Sequence, residues 1–117
     1  MEIKLLVIQT IDPQILANFY SLLGLKFEYH QHSKGPLHYT TTIDKTVFEI
    51  YPLRSDQVKP DSTLRLGFQI RDFDQTLATL LQHDVKILSK PTSTDWGTVA
   101  LIQDPDGRKI ELYKKEV

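Results

Sequence analysis

The segments LLVIQTID, Leu5 to Asp12, and RLGFQIRD, Arg65 to Asp72, read as two versions of one pattern. At an offset of 60, Leu6 meets Leu66, Ile8 meets Phe68, Gln9 meets Gln69 and Asp12 meets Asp72. The same offset aligns Leu25-Lys26-Phe27 with Val85-Lys86-Ile87. Further on, TVFEIY (Thr46 to Tyr51) aligns with RKIELY (Arg108 to Tyr113) at an offset of 62, setting Glu49 on Glu111 and Tyr51 on Tyr113. Two extra residues in the second hairpin account for the change. The period is too long, and the copies too few, for a solenoid. A duplicated module is the reading.

Each copy has the same element order. Leu5 to Gln9 and Leu64 to Ile70 are apolar runs of strand length. Each leads to an aspartate able to cap a helix. Pro13 stands at the first helical position, where its missing N–H costs nothing. Ile15, Leu16, Phe19, Leu22 and Leu23 recur at helical spacing, and Gly24 suits the residue after the helix. In the second copy Asp72 or Asp74 is the cap, with Asp72 and Gln75 resembling a capping box. Phe73, Leu77, Leu80 and Leu81 form its stripe. Strands are expected near 26–31, 37–43 and 46–51, then near 85–89, 98–103 and 109–114. Asp104-Pro105-Asp106-Gly107 is a turn, with proline presetting one φ and glycine supplying a positive one. The order is βαβββ twice.

Composition narrows the function. The 117 residues are 40% hydrophobic and 25% charged, as in an ordinary globular domain. Lys and Arg number 14 against 15 Asp and Glu, so the basic excess of a nucleic-acid binder is missing. With no cysteine, disulfides, thiolate zinc sites and a catalytic thiol are excluded. The apolar run Leu5 to Ile8 is shorter than the roughly 7–15 residues of a secretory leader, and a membrane span is not expected. A cytoplasmic location is the expectation. There is no glycine-rich phosphate loop and no G-x-S-x-G elbow.

The doubled βαβββ order resembles the vicinal oxygen chelate superfamily, which contains glyoxalase I, bleomycin-resistance proteins and extradiol dioxygenases. So do Phe19-Tyr20 … Leu23-Gly24-Leu25 and the closing Trp96-Gly97 … Asp104-Pro105-Asp106-Gly107-Arg108-Lys109-Ile110-Glu111-Leu112. The resemblance spans the chain. It implies an α+β fold in which two modules form a curved mixed sheet around a cup. The chain is then a single domain, 1–117, with module 1 about 1–52, a linker about 53–63 and module 2 about 64–117. It also implies a homodimer, with the halves of the cup drawn from one chain or from two.

Strand alternation sorts the side chains. Leu6, Ile8, Phe48, Ile50, Leu66, Phe68, Ile110 and Leu112 should meet the helices. Leu5, Val7, Gln9, Glu49, Tyr51, Arg65, Gly67, Gln69, Glu111 and Tyr113 should line the cup, a mixed set that suits a ligand better than a dry core. The resemblance implies four metal positions in enzymatic members, one on the first and one on the last strand of each module. Here they fall on Leu5, Glu49, Arg65 and Glu111. Leucine has no donor, and arginine has no lone pair to offer. No metal and no cofactor is therefore expected.

The remaining candidates carry two readings each. Arg65 either neutralises Glu49 and Glu111 or grips an anionic ligand, and the residues favour the first. Trp96 either stacks on a planar ligand or covers a hairpin edge, Tyr51 and Tyr113 either bind ligand or close the cup, and His38 points into the cup or away. His30 and His32 share a strand face at a metal-ligand spacing, but a solvated strand end is favoured. His83 should interact with the C-terminal dipole of the second helix. The expected function is metal-free binding of a small organic molecule, with sequestration of a toxic or antibiotic compound as one role the resemblance implies. The rivals are a lyase, isomerase or dioxygenase-related enzyme using Glu49 and Glu111, and a protein-interaction module.

Overall fold

The first module begins with β1 (Leu5–Thr10), where alternating side chains already separate a buried Ile8 from an exposed Leu5. Asp12 then opens α1 (Pro13–Ser21): its Oδ1 accepts from the N–H groups of Gln14 and Ile15 at 3.1 and 3.2 Å. The chain leaves this helix through Gly24 at φ +104°, a conformation open to glycine at little cost. Next come β2 (Glu28–His30), β3 (His38–Ile43) and β4 (Thr46–Pro52). The second module repeats the order as β5 (Leu66–Ile70), α2 (Phe73–Gln82), β6 (Ile87–Thr94), β7 (Gly97–Gln103) and β8 (Lys109–Lys114). The chain is seen here as a computed structural model that describes residues 1–116.

The α+β reading holds: each module is a four-stranded mixed sheet with one helix. The strand orders are β1-β4-β3-β2 and β5-β8-β7-β6. In both, the first strand pairs in parallel with the last. Val7 lies opposite Glu49, and Gly67 opposite Glu111. The offsets of 60 and 62 read from the sequence are thus both present in one register. Thr40 pairs with Glu49 and Leu101 with Glu111, so the third strands correspond at an offset of 61. One extra residue therefore sits in the β7–β8 turn and the other earlier, which corrects the expectation that both belong to one hairpin. The chain divides into two compact units, the first Met1–Pro60 and the second starting at Asp61.

In the first unit Leu16, Tyr20, Phe48 and Ile50 have no exposed surface. Tyr20 meets Phe48 edge-on, with ring centroids 5.3 Å apart. In the second, Leu80, Ala100, Ile102, Ile110 and Leu112 are as fully buried. The helix stripes are narrower than their spacing suggests. Ile15 and Leu81 are exposed, because the buried arcs centre on Leu16 and Tyr20 in α1 and on Phe73, Thr76 and Leu80 in α2.

Three further expectations need correction. The Asp72 capping box does not form. At φ −106° and ψ 63° this residue departs from the extended geometry that aims a cap side chain at the helix, and no side-chain cap bond is made. The sixth strand runs to Thr94 rather than ending near Ser89. It passes Pro91 through register shifts, as a residue without an N–H requires. The first strand of the second module starts at Leu66, leaving Leu64 and Arg65 before it.

Asp104-Pro105-Asp106-Gly107 does more than turn the chain. Asp104 Oδ1 accepts from the backbone N–H groups of Asp106 and Arg108 at 2.9 and 3.0 Å, and Gly107 takes φ +92°. The Arg108 guanidinium then bonds Asp104 at 3.1 Å and Asp106 at 2.8 Å while only 1% of the residue is exposed. Burial works against its charge, but the Asp106 and Asp104 carboxylates outweigh burial and raise its pKa.

Candidate functional site

The side chains expected to face a ligand gather into one group in each unit. In the second unit the parallel β5–β8 pair sets Gly67 beside Glu111 and Gln69 beside Tyr113. Arg65 donates from Nη2 to Glu111 Oε1 at 2.6 Å. The other carboxylate oxygen accepts a short bond from the Tyr113 hydroxyl. That bond, then burial and the negative charge of Glu111, raise the Tyr113 pKa, with Arg65 pulling weakly the other way. Gly67 makes room for the ring: a Cβ there would lie 3.1 Å from Tyr113 Cε2.

Arg65, Glu111 and Tyr113 border a recess of about 550 Å³, together with Ser89, Thr92, Thr94, Val99 and Leu101. Trp96 stands at its rim in the turn between β6 and β7. There Thr94 Oγ1 accepts from the Trp96 N–H at 3.1 Å and donates to Gly97 O at 2.7 Å. The indole is 81% exposed and so covers little of its own hairpin. Gln69 lines a neighbouring recess with Trp96 and Tyr113.

In the first unit Glu49 and Tyr51 share a face with His38, because Thr40 is the direct partner of Glu49 and His38 lies two residues on. His38 is fully buried. Its Nε2 is 3.2 Å from Glu49 Oε2, and its ring stacks on Tyr51 at 4.1 Å and 7°. Burial, then the Glu49 charge, raise the Tyr51 pKa. Gln9, Glu49 and Tyr51 line a recess of about 350 Å³ with Leu5, Val7, Pro36 and Arg54. His38 is thus the partner that Glu49 finds, whereas Arg65 serves Glu111.

His30 and His32 do lie exposed at a strand end, yet they are not isolated in water. One ring nitrogen from each of His30, His32 and His38 lies within 4.8 Å of the other two. The pairing of His30 with His38 on the β2–β3 ladder brings them together, a cross-strand contact that spacing along one strand does not reveal. Arg108 was also missed as a structural residue; its place directly after the Asp-rich turn was the available signal. His83 donates from Nδ1 to Thr79 O at 2.9 Å, at the C-terminus of α2.

The metal positions of the enzymatic members do not fit this chain. Leu5 pairs with Val47, and the residues directly opposite the two glutamates are Val7 and Gly67. Neither these nor Leu5 carries a donor. Arg65 occupies one Glu111 oxygen with a cation, and Tyr113 occupies the other.

A family model described as the Glyoxalase/Bleomycin resistance protein/Dioxygenase superfamily matches residues 2–112. Among solved structures, a glyoxalase/dioxygenase from Nostoc punctiforme is similar with a TM-score of 0.79 at 19% identity, covering 99% of this chain and 92% of that one. TnmS3, an antibiotic binding protein from Streptomyces sp. CB03234, gives 0.76 at 22% identity, covering 99% and 97%. An integron cassette protein from the mobile metagenome of V. cholerae gives 0.76 at 20%, covering 99% and 96%. No curated protein matches the sequence. At these identities the structures speak for the fold, while the family match covers nearly the whole chain. The chain belongs to the glyoxalase/bleomycin resistance protein/dioxygenase superfamily.

Proposed function

We propose that this protein binds a small, planar organic molecule without the family's metal tetrad, and that the second-module recess is the principal site. The observation that carries this reading is the Glu111 carboxylate, engaged by Arg65 through one oxygen and by Tyr113 through the other. A volume of about 550 Å³ falls in the range of small-molecule pockets, roughly 300–1,000 Å³. The exposed Trp96 at the rim offers a stacking face, and Arg65 offers further N–H donors to an anionic or carbonyl group. The likeness to an antibiotic binding protein supports sequestration of such a compound as the role.

Trp96 is the single tryptophan of the chain, so its fluorescence reports on this recess directly. Titration with a panel of planar aromatic carboxylates should give saturable quenching for at least one member. If no compound quenches, and calorimetry detects no binding either, the small-molecule reading fails and a protein-interaction module is favoured. The same proposal includes a homodimer, since exposed apolar side chains such as Ile3, Leu5 and Tyr29 are left for a partner to cover. Light scattering giving a monomer at every concentration would count against it.

A further inference from the structure

We propose that His30, His32 and His38 bind a divalent transition ion of the zinc class, with Glu49 as fourth donor, at a site in the first module that shares only Glu49 with the metal positions of the enzymatic relatives. The anchor is His38. Its Nδ1 lies 3.2 Å from the Pro36 carbonyl oxygen, which can only accept, so Nδ1 is the donor there and Nε2 is the nitrogen left to meet an ion. A backbone carbonyl behind the ring is the usual outer partner of a ligating histidine. The stacked Tyr51 ring fixes the imidazole plane.

The free nitrogen faces a carboxylate. Nε2 and Glu49 Oε2 are 3.2 Å apart, and two lone-pair atoms at that distance require a proton or a cation between them. The Tyr51 hydroxyl, at 3.4 Å from Nε2, is too long for a strong donor. Two further imidazoles beside this pair favour the metal, because a borderline-soft ion takes imidazole ligands and three are gathered here. The ring nitrogens lie within 4.8 Å of one another, against about 3.4 Å for a tetrahedral zinc with bonds of roughly 2.0–2.1 Å. Ring centroids are 4.9, 5.4 and 6.2 Å apart, and the closure that binding requires would fall to the two exposed side chains, His30 and His32. His32 opens a turn to Gly35 that is closed by a 2.9 Å backbone bond.

The test is a calorimetric zinc titration of tag-free, chelator-stripped protein, with magnesium as control. The proposal expects one zinc per chain and no magnesium binding, because a hard ion does not prefer imidazole. His30→Ala and His32→Ala should each weaken zinc by at least about tenfold, and the double variant should abolish it. Both residues are exposed, so circular dichroism should show an unchanged fold. Glu49→Gln should also weaken zinc. Absence of zinc binding in the parent protein, undiminished binding in the double variant, or magnesium binding of equal strength would each overturn the assignment. The outcome is separable from the second-module reading: Arg65→Gln should leave zinc affinity unchanged, and the double histidine variant should still bind a planar aromatic carboxylate.

Discussion

The Arg65 guanidinium lies 2.6 Å from Glu111 Oε1, and this contact holds one oxygen of a carboxylate whose other oxygen accepts from Tyr113. The duplicated counterpart of that carboxylate, Glu49, has the same strand register but meets His38 instead. Equivalent backbone positions have therefore acquired different chemistry. One module opposes its glutamate with a fixed cation, the other with an imidazole.

Replacing Arg65 by glutamine should separate binding from stability. The side chain is 58% exposed, so loss of the pair should change folding stability by less than about 1 kcal/mol. Affinity for a planar aromatic carboxylate should fall about tenfold, or ~1.4 kcal/mol. Chemical denaturation and Trp96 fluorescence titration measure the two quantities on the same sample.

The Tyr113 phenol should resist alkali. Its pKa is raised, so the fold favours the protonated form. The stability it contributes is complete below its ordinary value of about 10 and is lost as pH rises through the folded value. The difference in phenolate absorbance between the parent protein and Tyr113→Phe isolates this titration. Gly67→Ala should move it back towards the ordinary range, because a Cβ 3.1 Å from Tyr113 Cε2 displaces the ring from Glu111. An unmoved titration in Gly67→Ala would show that the glycine does not position the ring.

Arg108→Leu should be the most destabilising of these substitutions. It removes a buried cation from Asp104, itself 4% exposed, so that the carboxylate loses its guanidinium partner. Breaking a buried pair in this way costs about 3–5 kcal/mol. Urea denaturation should register that loss. A cost below about 1 kcal/mol would mean that the Asp-rich turn is held by its backbone bonds alone.

The fold was legible because its signals are local and repeated. Strand alternation around Ile8 and Phe48, Asp12 before Pro13, Gly24 after the first helix and the Asp104–Gly107 turn each specify a conformation from a few residues. Alternation likewise assigned Glu49, Tyr51, Glu111 and Tyr113 to one face of their sheets. Partner choice was harder to read. Whether Arg65 reaches Glu49 or Glu111, and whether His38 meets a carboxylate, depends on cross-strand register rather than spacing along the chain. The histidine cluster is the clearest case. His30 and His32 are visible as a pair in sequence, but the hairpin ladder recruits His38. The unformed Asp72 cap fails for the converse reason, since a suitable side chain is wasted where the backbone is wrongly disposed.

The second-module recess should bind its ligand without a metal on Glu111. This is tested most directly by titrating a planar aromatic carboxylate against Trp96 fluorescence in the His30→Ala/His32→Ala background, before and after exhaustive chelation. That background removes two of the three imidazoles of the first module, so any remaining metal dependence belongs elsewhere. The dissociation constant should be the same in both samples, and binding should be weaker when Arg65 is replaced by glutamine. Binding that disappears on chelation and returns with zinc, manganese or iron would contradict it and place a metal on Glu111 after all.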